Sequence, residues 1–373
     1  MDNYRAILAI VLAFFILLGY QYLFVAPEQE QRQPVVETTA EQAPQPRISP
    51  QVVQPTPAPA EIVQAEQTAQ FEEPVNLPAQ KGRDIVVETS KYIAVISETG
   101  GGMKSFKLKN YRETSAPDAE LKELISTESY RDFPLYFTWG VEPRRAQLPL
   151  FVADKETLQI AAGESQTLTM TAQLASGLQI TRRMVFAPDS YLINLSVSID
   201  NFSETPLQGS PFISLTNRPF GSISQRYLFS GPAVLLDGKL QEVKPKELEE
   251  AAQTLQGNIT WVAFEGTYFM TGVIPENQSN QTLKLSAEGD IVNSLLLGPE
   301  DIIAAAGGLQ YNYPIYFGPK RITTLKEAGH DLERVVNFGW FDKLARPALY
   351  LLNFFYGYVG NYGIAIILLT VVI

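Results

Sequence analysis

The sequence predicts a membrane-anchored, mainly β protein built around one large antiparallel β-sandwich. Three observations carry that expectation. The chain carries an uncharged apolar run near its start, continues through short alternating runs separated by turn residues, and ends on an aromatic stretch followed by an uncharged, mostly aliphatic one.

Residues 6–25 contain no charge, and Gln21 is their only strongly polar side chain. At about 1.5 Å per residue, a helix over this run reaches across a hydrocarbon core of about 30 Å. Tyr4 stands at one end and Tyr20 and Tyr22 at the other, where amphipathic rings favour headgroup depth. A cleavable signal peptide is the competing reading, since residues 6–18 are short enough for its apolar region. Against it, the start carries only Arg5 beside Asp2, and Phe24 and Ala26 form no small-x-small cleavage site. Residues 1–26 are therefore expected to remain as a transmembrane anchor.

Residues 27–80 are crowded with Pro, Gln and Glu, as in Pro44-Gln45-Pro46 and Pro55-Thr56-Pro57-Ala58-Pro59. Their few aliphatics show no period that would bury a core, which predicts a disordered, semi-extended tether. A proline-rich recognition segment is the sharper alternative to a plain spacer.

From residue 84 to 319 the pattern is that of strands. Residues 85–89, 92–96, 167–172, 191–199, 259–264 and 267–274 read as strands, with turns at Gly100-Gly101-Gly102, Ser176-Gly177, Pro188-Asp189-Ser190 and Asp237-Gly238. Only residues 245–256 inside this region read as helix. The sandwich with its C-terminal docking helix is expected to cover residues 81–337.

Composition excludes several chemistries. With no cysteine, there are no disulfides, thiolate zinc sites or cysteine nucleophiles. The single histidine, His330, excludes a multi-histidine metal site, and it lies on the docking segment with no partner motif. A net charge of -11 argues against a nucleic-acid partner, which needs clustered Lys and Arg. Asp132, Asp154, Glu164 and Asp189 stand beside turns, where acidic residues act as turn formers, and nothing pairs them with a nucleophile or base. Gly100-Gly101-Gly102 reads as a tight turn demanding positive φ. The aromatics Phe133, Tyr136, Phe137 and Trp139 line either a groove or the core.

Residues 319–337 turn helical, with Leu325, Leu332, Val335 and Val336 as a stripe for docking on the sandwich. Aromatic content then rises at Phe338, Trp340, Phe341, Tyr350, Phe354, Phe355, Tyr356 and Tyr358. On a helix, Phe341, Leu344, Ala345, Ala348, Leu352 and Phe355 share one side, while Asp342, Arg346, Tyr350 and Asn353 occupy the other. That pattern predicts an amphipathic helix over residues 338–359 lying in the membrane interface, with a break or a new first turn at Pro347. Gly357, Gly360, Asn361 and Gly363 favour a bend near Gly360-Asn361, and residues 360–373 then begin a second membrane-crossing helix that the sequence leaves incomplete. One long span over residues 347–373 is the alternative, since that stretch carries no charge.

Tyr316-Phe317-Gly318-Pro319-Lys320, Phe338-Gly339-Trp340-Phe341, Arg346-Pro347 and Gly360-Asn361-Tyr362-Gly363-Ile364-Ala365-Ile366-Ile367-Leu368-Leu369-Thr370 resemble the YidC-type membrane protein insertases of Gram-negative bacteria. The resemblance covers essentially the whole chain, and its final segment is the specific part. It implies a supersandwich-like periplasmic domain, an inner-membrane location with a cytoplasmic N-terminus, and no catalytic residues, metal or cofactor. It further implies inner-membrane protein substrates, membrane lipid and Sec translocon subunits as partners. Thr370 corresponds to a groove-lining residue, and the family's groove arginine falls one position past Ile373. The bland reading of Thr370 is a helix hydroxyl bonded back to a carbonyl one turn earlier. Two other classes stay open: an anchored periplasmic binding module, whose sandwich would be similar to sugar-binding folds, and an anchored sugar-converting enzyme.

Overall fold

The computed structural model describes residues 82–372, apart from 117, 128, 130–131, 142–147, 221–228, 278 and 338–341. The described residues all belong to one compact unit, Glu73–Ile373. The expected anchor at 1–26 and the tether at 27–80 lie outside the described residues.

Among the described residues the strands run in chain order as β1 Asp84–Glu88, β2 Tyr92–Ser97, β3 Met103–Arg112, β4 Leu121–Glu123, β5 Phe137–Gly140, β6 Val152–Ala153 and β7 Thr157–Gln159. They continue as β8 Gln166–Gln173, β9 Leu178–Phe186, β10 Leu192–Asn201, β11 Leu207–Asn217, β12 Gly231–Leu236, β13 Lys239–Glu242 and β14 Gln253–Gly257. The last six are β15 Ile259–Glu265, β16 Phe269–Val273, β17 Gln281–Glu288, β18 Ile291–Leu297, β19 Asp301–Ile303 and β20 Gly308–Pro319. A nine-stranded sheet takes the order β13-β12-β15-β16-β20-β10-β9-β8-β6. A five-stranded sheet is ordered β4-β3-β2-β1-β7, and a six-stranded one β14-β17-β18-β11-β19 with β5 paired to β11. Pairing is antiparallel except between β1 and β7, a parallel contact that the alternation of the sequence does not announce.

The two smaller sheets share one face of the large one. On β20 the residues two apart point the same way. Phe317 meets Phe106 of the five-stranded sheet at 5.2 Å between ring centroids, while Tyr313 and Tyr311 meet Phe137 of β5 at 6.1 and 6.4 Å. Trp139 donates its indole N–H to the Tyr311 hydroxyl at 3.3 Å, and that hydroxyl donates to Asp301 at 2.7 Å. The aromatics at 133, 136, 137 and 139 are thus core, each buried to 6 % exposure or less.

Among the described residues, the opposite face is covered at one end. Strands β9 and β10 alternate between buried and half-buried or exposed residues, as expected where one face meets water, whereas β12 and β15 are buried almost throughout. The cover over β15 is the segment after β20. Leu325, Leu332 and Val335 are fully buried in the same core, and Trp261 of β15 donates its indole N–H to the Asp331 carbonyl at 3.2 Å. The expected helix over 319–337 is corrected: it is a helix Ile322–Ala328 and a 3₁₀ turn Leu332–Val335, broken where Gly329, His330 and Asp331 all take positive φ. Glycine ends the first helix without a Cβ penalty, and its N–H closes onto the Leu325 carbonyl at 3.0 Å.

The helix expected at 245–256 is likewise shorter, Pro245–Glu250, and Gln253–Gly257 is strand β14. Pro245 starts the helix where its missing N–H does no harm, and beyond Ala251 the Thr254/Leu255/Gln256 alternation pairs with β17. Residues 267 and 268 belong to a turn, so the strand expected at 267–274 is Phe269–Val273. The glycine turn has φ of +73° at Gly100 and +66° at Gly101, and a Cβ on Gly101 would lie 2.5 Å from the Arg182 guanidinium.

Two of the buried charged residues, Arg182 and Glu265, are completely enclosed. Arg182 is fully buried; it donates to the Gly100 carbonyl at 3.3 Å, lies over the Phe151 ring, and burial lowers its pKa to about 10. Glu265 of β15 is fully buried and ion-paired with Lys320 at the end of β20. Burial raises its pKa to about 7, against the pull of Lys320 and with the help of exposed Glu242.

Glu265 therefore holds its proton more tightly in the folded domain than in the unfolded chain. Its stabilising contribution is complete below the ordinary value of 4.5 and is lost as pH rises through about 7. Residues 82–337 produced alone are expected to unfold cooperatively, with no effect of chelator. They are expected to be more stable at pH 5.5 than at pH 8 by on the order of 1–3 kcal/mol, an increment that Glu265→Gln removes. Denaturant titrations of both proteins at the two pH values read this out; an unchanged increment in the variant refutes the assignment.

Candidate membrane-facing site

After the docking segment the chain forms two helices that pack on each other, Asp342–Val359 and Tyr362–Val372. At about 1.5 Å per residue they are roughly 27 and 16 Å long. No helix among the described residues is long and apolar enough to cross a membrane.

The first helix passes through Pro347 without a break, which corrects the expected interruption there. Proline at the sixth position removes one backbone bond, the one to the Lys343 carbonyl, and the turns on either side carry the helix across it. Arg346 precedes it on the same helix. Ala348, Leu352 and Phe355 are half-buried as their helical side requires, and Asn353 is exposed. Tyr350, Phe354 and Tyr358, at steps of four, form an exposed aromatic stripe with 61, 57 and 79 % exposure. Lys326 of the docking helix donates to the Tyr350 hydroxyl at 3.4 Å and ties this stripe to the sandwich side. Trp340 and Phe341 lie outside the described residues.

The corner consists of Gly360 and Asn361. Gly360 adopts φ +63° and its N–H bonds the Tyr356 carbonyl at 2.8 Å, ending the first helix in the left-handed region that glycine enters freely. Asn361 starts the second, its side-chain oxygen accepting the N–H groups of Gly363 at 2.8 Å and Ile364 at 3.4 Å. Tyr356 and Tyr362 stack across the corner with centroids 3.8 Å apart. The second helix buries Ala365 and exposes Ile364, Ile366, Ile367, Leu368, Val371 and Val372. The Thr370 hydroxyl donates back to the carbonyls of Ile366 and Ile367 at 2.5 and 3.1 Å, so the one polar side chain after Tyr362 is satisfied within its own helix.

The structure brings Gly360, Asn361 and Gly363 together and leaves Thr370 well along the second helix. His330 is elsewhere, on the sandwich, 3.9 Å from the Glu276 carboxylate. Asp154 and Asp189 tie their loops to distant segments, accepting the Thr169 N–H at 2.9 Å and the Ser90 hydroxyl at 3.0 Å. Sequence reasoning missed the Glu265–Lys320 pair at the exit of β20. A lone carboxylate closing the apolar run Trp261-Val262-Ala263-Phe264 was the available signal.

Asn361→Ala removes the cap and should cost about 1 kcal/mol, and Gly360→Ala a similar amount through its positive φ. Hydrogen exchange in the full-length protein is expected to speed up about fivefold at Gly363 and Ile364. Unchanged exchange in both variants contradicts the capped corner.

The family model of the YidC periplasmic domain matches residues 84–351. Membrane protein insertase YidC of Syntrophus aciditrophicus is 33% identical, with 99% of this chain and 68% of that protein covered. The Geobacter sulfurreducens protein of the same name is also 33% identical, over 99% of this chain and 66% of that one. The chain thus spans about two thirds of the length of these relatives. Among solved structures, a galactose mutarotase-like protein from Lactobacillus casei overlaps 63% of this chain and 99% of its own at 10% identity and a TM-score of 0.42. That likeness is too distant to carry a function. On the strength of the domain match and of relatives aligned along nearly its entire length, the chain belongs to the YidC family.

Proposed function

We propose that this chain is the anchor, periplasmic domain and first core segment of a membrane protein insertase, which helps hydrophobic segments of inner-membrane proteins enter the bilayer and fold. The family supports that activity, and the observation that carries it to these residues is the corner at Gly360-Asn361. The corner delivers an uncharged helix with its isoleucines, leucine and valines outward from a helix that exposes three aromatic rings. Rings of that kind favour headgroup depth and the aliphatic helix favours hydrocarbon, so the two helices suit a surface element followed by a crossing one.

On this reading residues 1–26 anchor the protein with its N-terminus in the cytoplasm, 27–80 tether the domain, 81–337 fold in the periplasm, 338–359 lie in the interface and 360–373 enter the bilayer. Thr370 borders a hydrated groove that shortens the apolar distance a substrate's polar flank must cross, a passage that otherwise costs several kcal/mol at the bilayer centre. Its hydroxyl is held by helix carbonyls, which lets it face lipid or water alike. No bond-making step is assigned to these residues, and translocon subunits are partners on this reading. A binding-module or sugar-converting reading has no observation in its favour here.

Replacing Trp340 and Phe341 together by serine in the full-length protein is expected to reduce insertion of a model substrate about tenfold, equivalent to ~1.4 kcal/mol, while the sandwich stays folded by circular dichroism. Wild-type insertion by the variant refutes the interfacial role.

A further inference from the structure

The docking helix and the helix after the docking segment bring two polar groups together at an exposed place. Lys326, in the last turn of Ile322–Ala328, gives its ammonium to the Tyr350 hydroxyl at 3.4 Å. Both residues are exposed, and Tyr350 is the first ring of the stripe that continues through Phe354 and Tyr358. An ammonium has three N–H donors, and a phenol that accepts one of them keeps its own O–H to give. The pair therefore holds unused donors within reach of a single oxygen-rich anion.

Among the described residues the ammonium is not neutralised. Lys326 enters none of their ion pairs. One turn earlier stand Ile322 and Thr323, and Glu327 is next in the chain, an offset at which helical side chains do not face each other. Arg346 stands four positions before Tyr350, so a second cationic residue is one turn away on the other helix. Charge along the chain points the same way. Residues 320–373 hold six Lys and Arg against four Asp and Glu, a surplus of cations in a protein of net charge -11. An anionic surface repels the remainder of such a chain, and this segment is the part that can approach it.

We propose that Lys326 and Tyr350 together take the phosphodiester of an anionic phospholipid headgroup and so tie the β domain to the bilayer surface. The ammonium supplies charge, the phenol O–H supplies a directed hydrogen bond, and the aromatic stripe supplies depth, because such rings settle at the level of the headgroups. One donor belongs to the docking helix and the other to Asp342–Val359, so a bound headgroup bridges the two and holds the domain at one height. The site rests on the surface placement proposed above for Asp342–Val359.

The test puts p-benzoylphenylalanine in place of Phe354, the next ring of the stripe, in the full-length protein in nanodiscs of equal parts phosphatidylglycerol and phosphatidylcholine. After irradiation, mass spectrometry identifies the attached lipids. Phosphatidylglycerol adducts are expected to exceed phosphatidylcholine adducts about fivefold. Lys326→Gln brings the two to parity, Lys326→Arg keeps the preference, and Tyr350→Phe, which retains the ring and loses the O–H, lowers it. A preference unchanged in Lys326→Gln overturns the proposal, as do equal adducts with Lys326 present, and in both cases the surface helix still stands. Absence of any lipid adduct sinks the surface placement and this site together. Loss of the preference when inorganic phosphate replaces chloride at the same ionic strength makes free phosphate the ligand and overturns the lipid assignment.

Discussion

Strand β20 is bound on both faces, and that double duty organises everything after it. Its inward side sends Phe317, Tyr313 and Tyr311 to the two smaller sheets, which are also joined to each other through residues 134–136, bonded to Met103 of β3 and Ser214 of β11. Its outward side, with β15, needs cover at the end where β12 to β16 lie buried, and the chain supplies it at once by folding Ile322–Ala328 and Leu332–Val335 back over Trp261. The segment that follows β20 is therefore fixed to the domain by the domain's own need to bury apolar surface. Fully burying a leucine or valine side chain stabilises by roughly 1.5–3 kcal/mol, and Leu325, Leu332 and Val335 are all fully buried.

At the same exit lies a buried ion pair. Glu265 and Lys320 join the end of β15 to the end of β20, with Glu242 near enough to push the carboxyl up toward neutrality. A pair of this kind adds little net stability over an apolar isostere, because desolvation offsets the attraction. It joins the end of β15 to the start of the docking segment, where the Lys320 ammonium also reaches the Gly266 carbonyl at 3.5 Å.

Much of this was legible in the sequence where local chemistry decides. Period-two runs, Asp237-Gly238 and the glycine triplet gave strands and turns within a residue or two, and Gly360-Asn361 marked a corner through positive φ and capping. The long helices expected at 245–256 and 319–337 were too long because periodicity alone does not register a strand edge to pair with, nor a glycine followed by histidine and aspartate in left-handed conformations. The parallel β1/β7 contact and the Glu265–Lys320 pair are tertiary, depending on residues tens of positions apart. The aromatic stripe on Asp342–Val359 was half legible: Ala348, Leu352 and Phe355 fell on the covered side, whereas Phe354 and Tyr358 escaped notice as a continuation of Tyr350.

On the proposed reading, the chain leaves its β domain along the membrane surface and turns into the bilayer at Gly360-Asn361. Nitroxide labels placed singly from 341 to 372 in the full-length protein, reconstituted in bilayers and read with oxygen and nickel relaxants, measure depth along both helices. One shallow, nearly constant depth is expected from 342 to 359, at 350 as at 341, and then steadily greater depth from 362 onward. Depth that increases continuously from 347 would contradict it and make the two helices parts of one span.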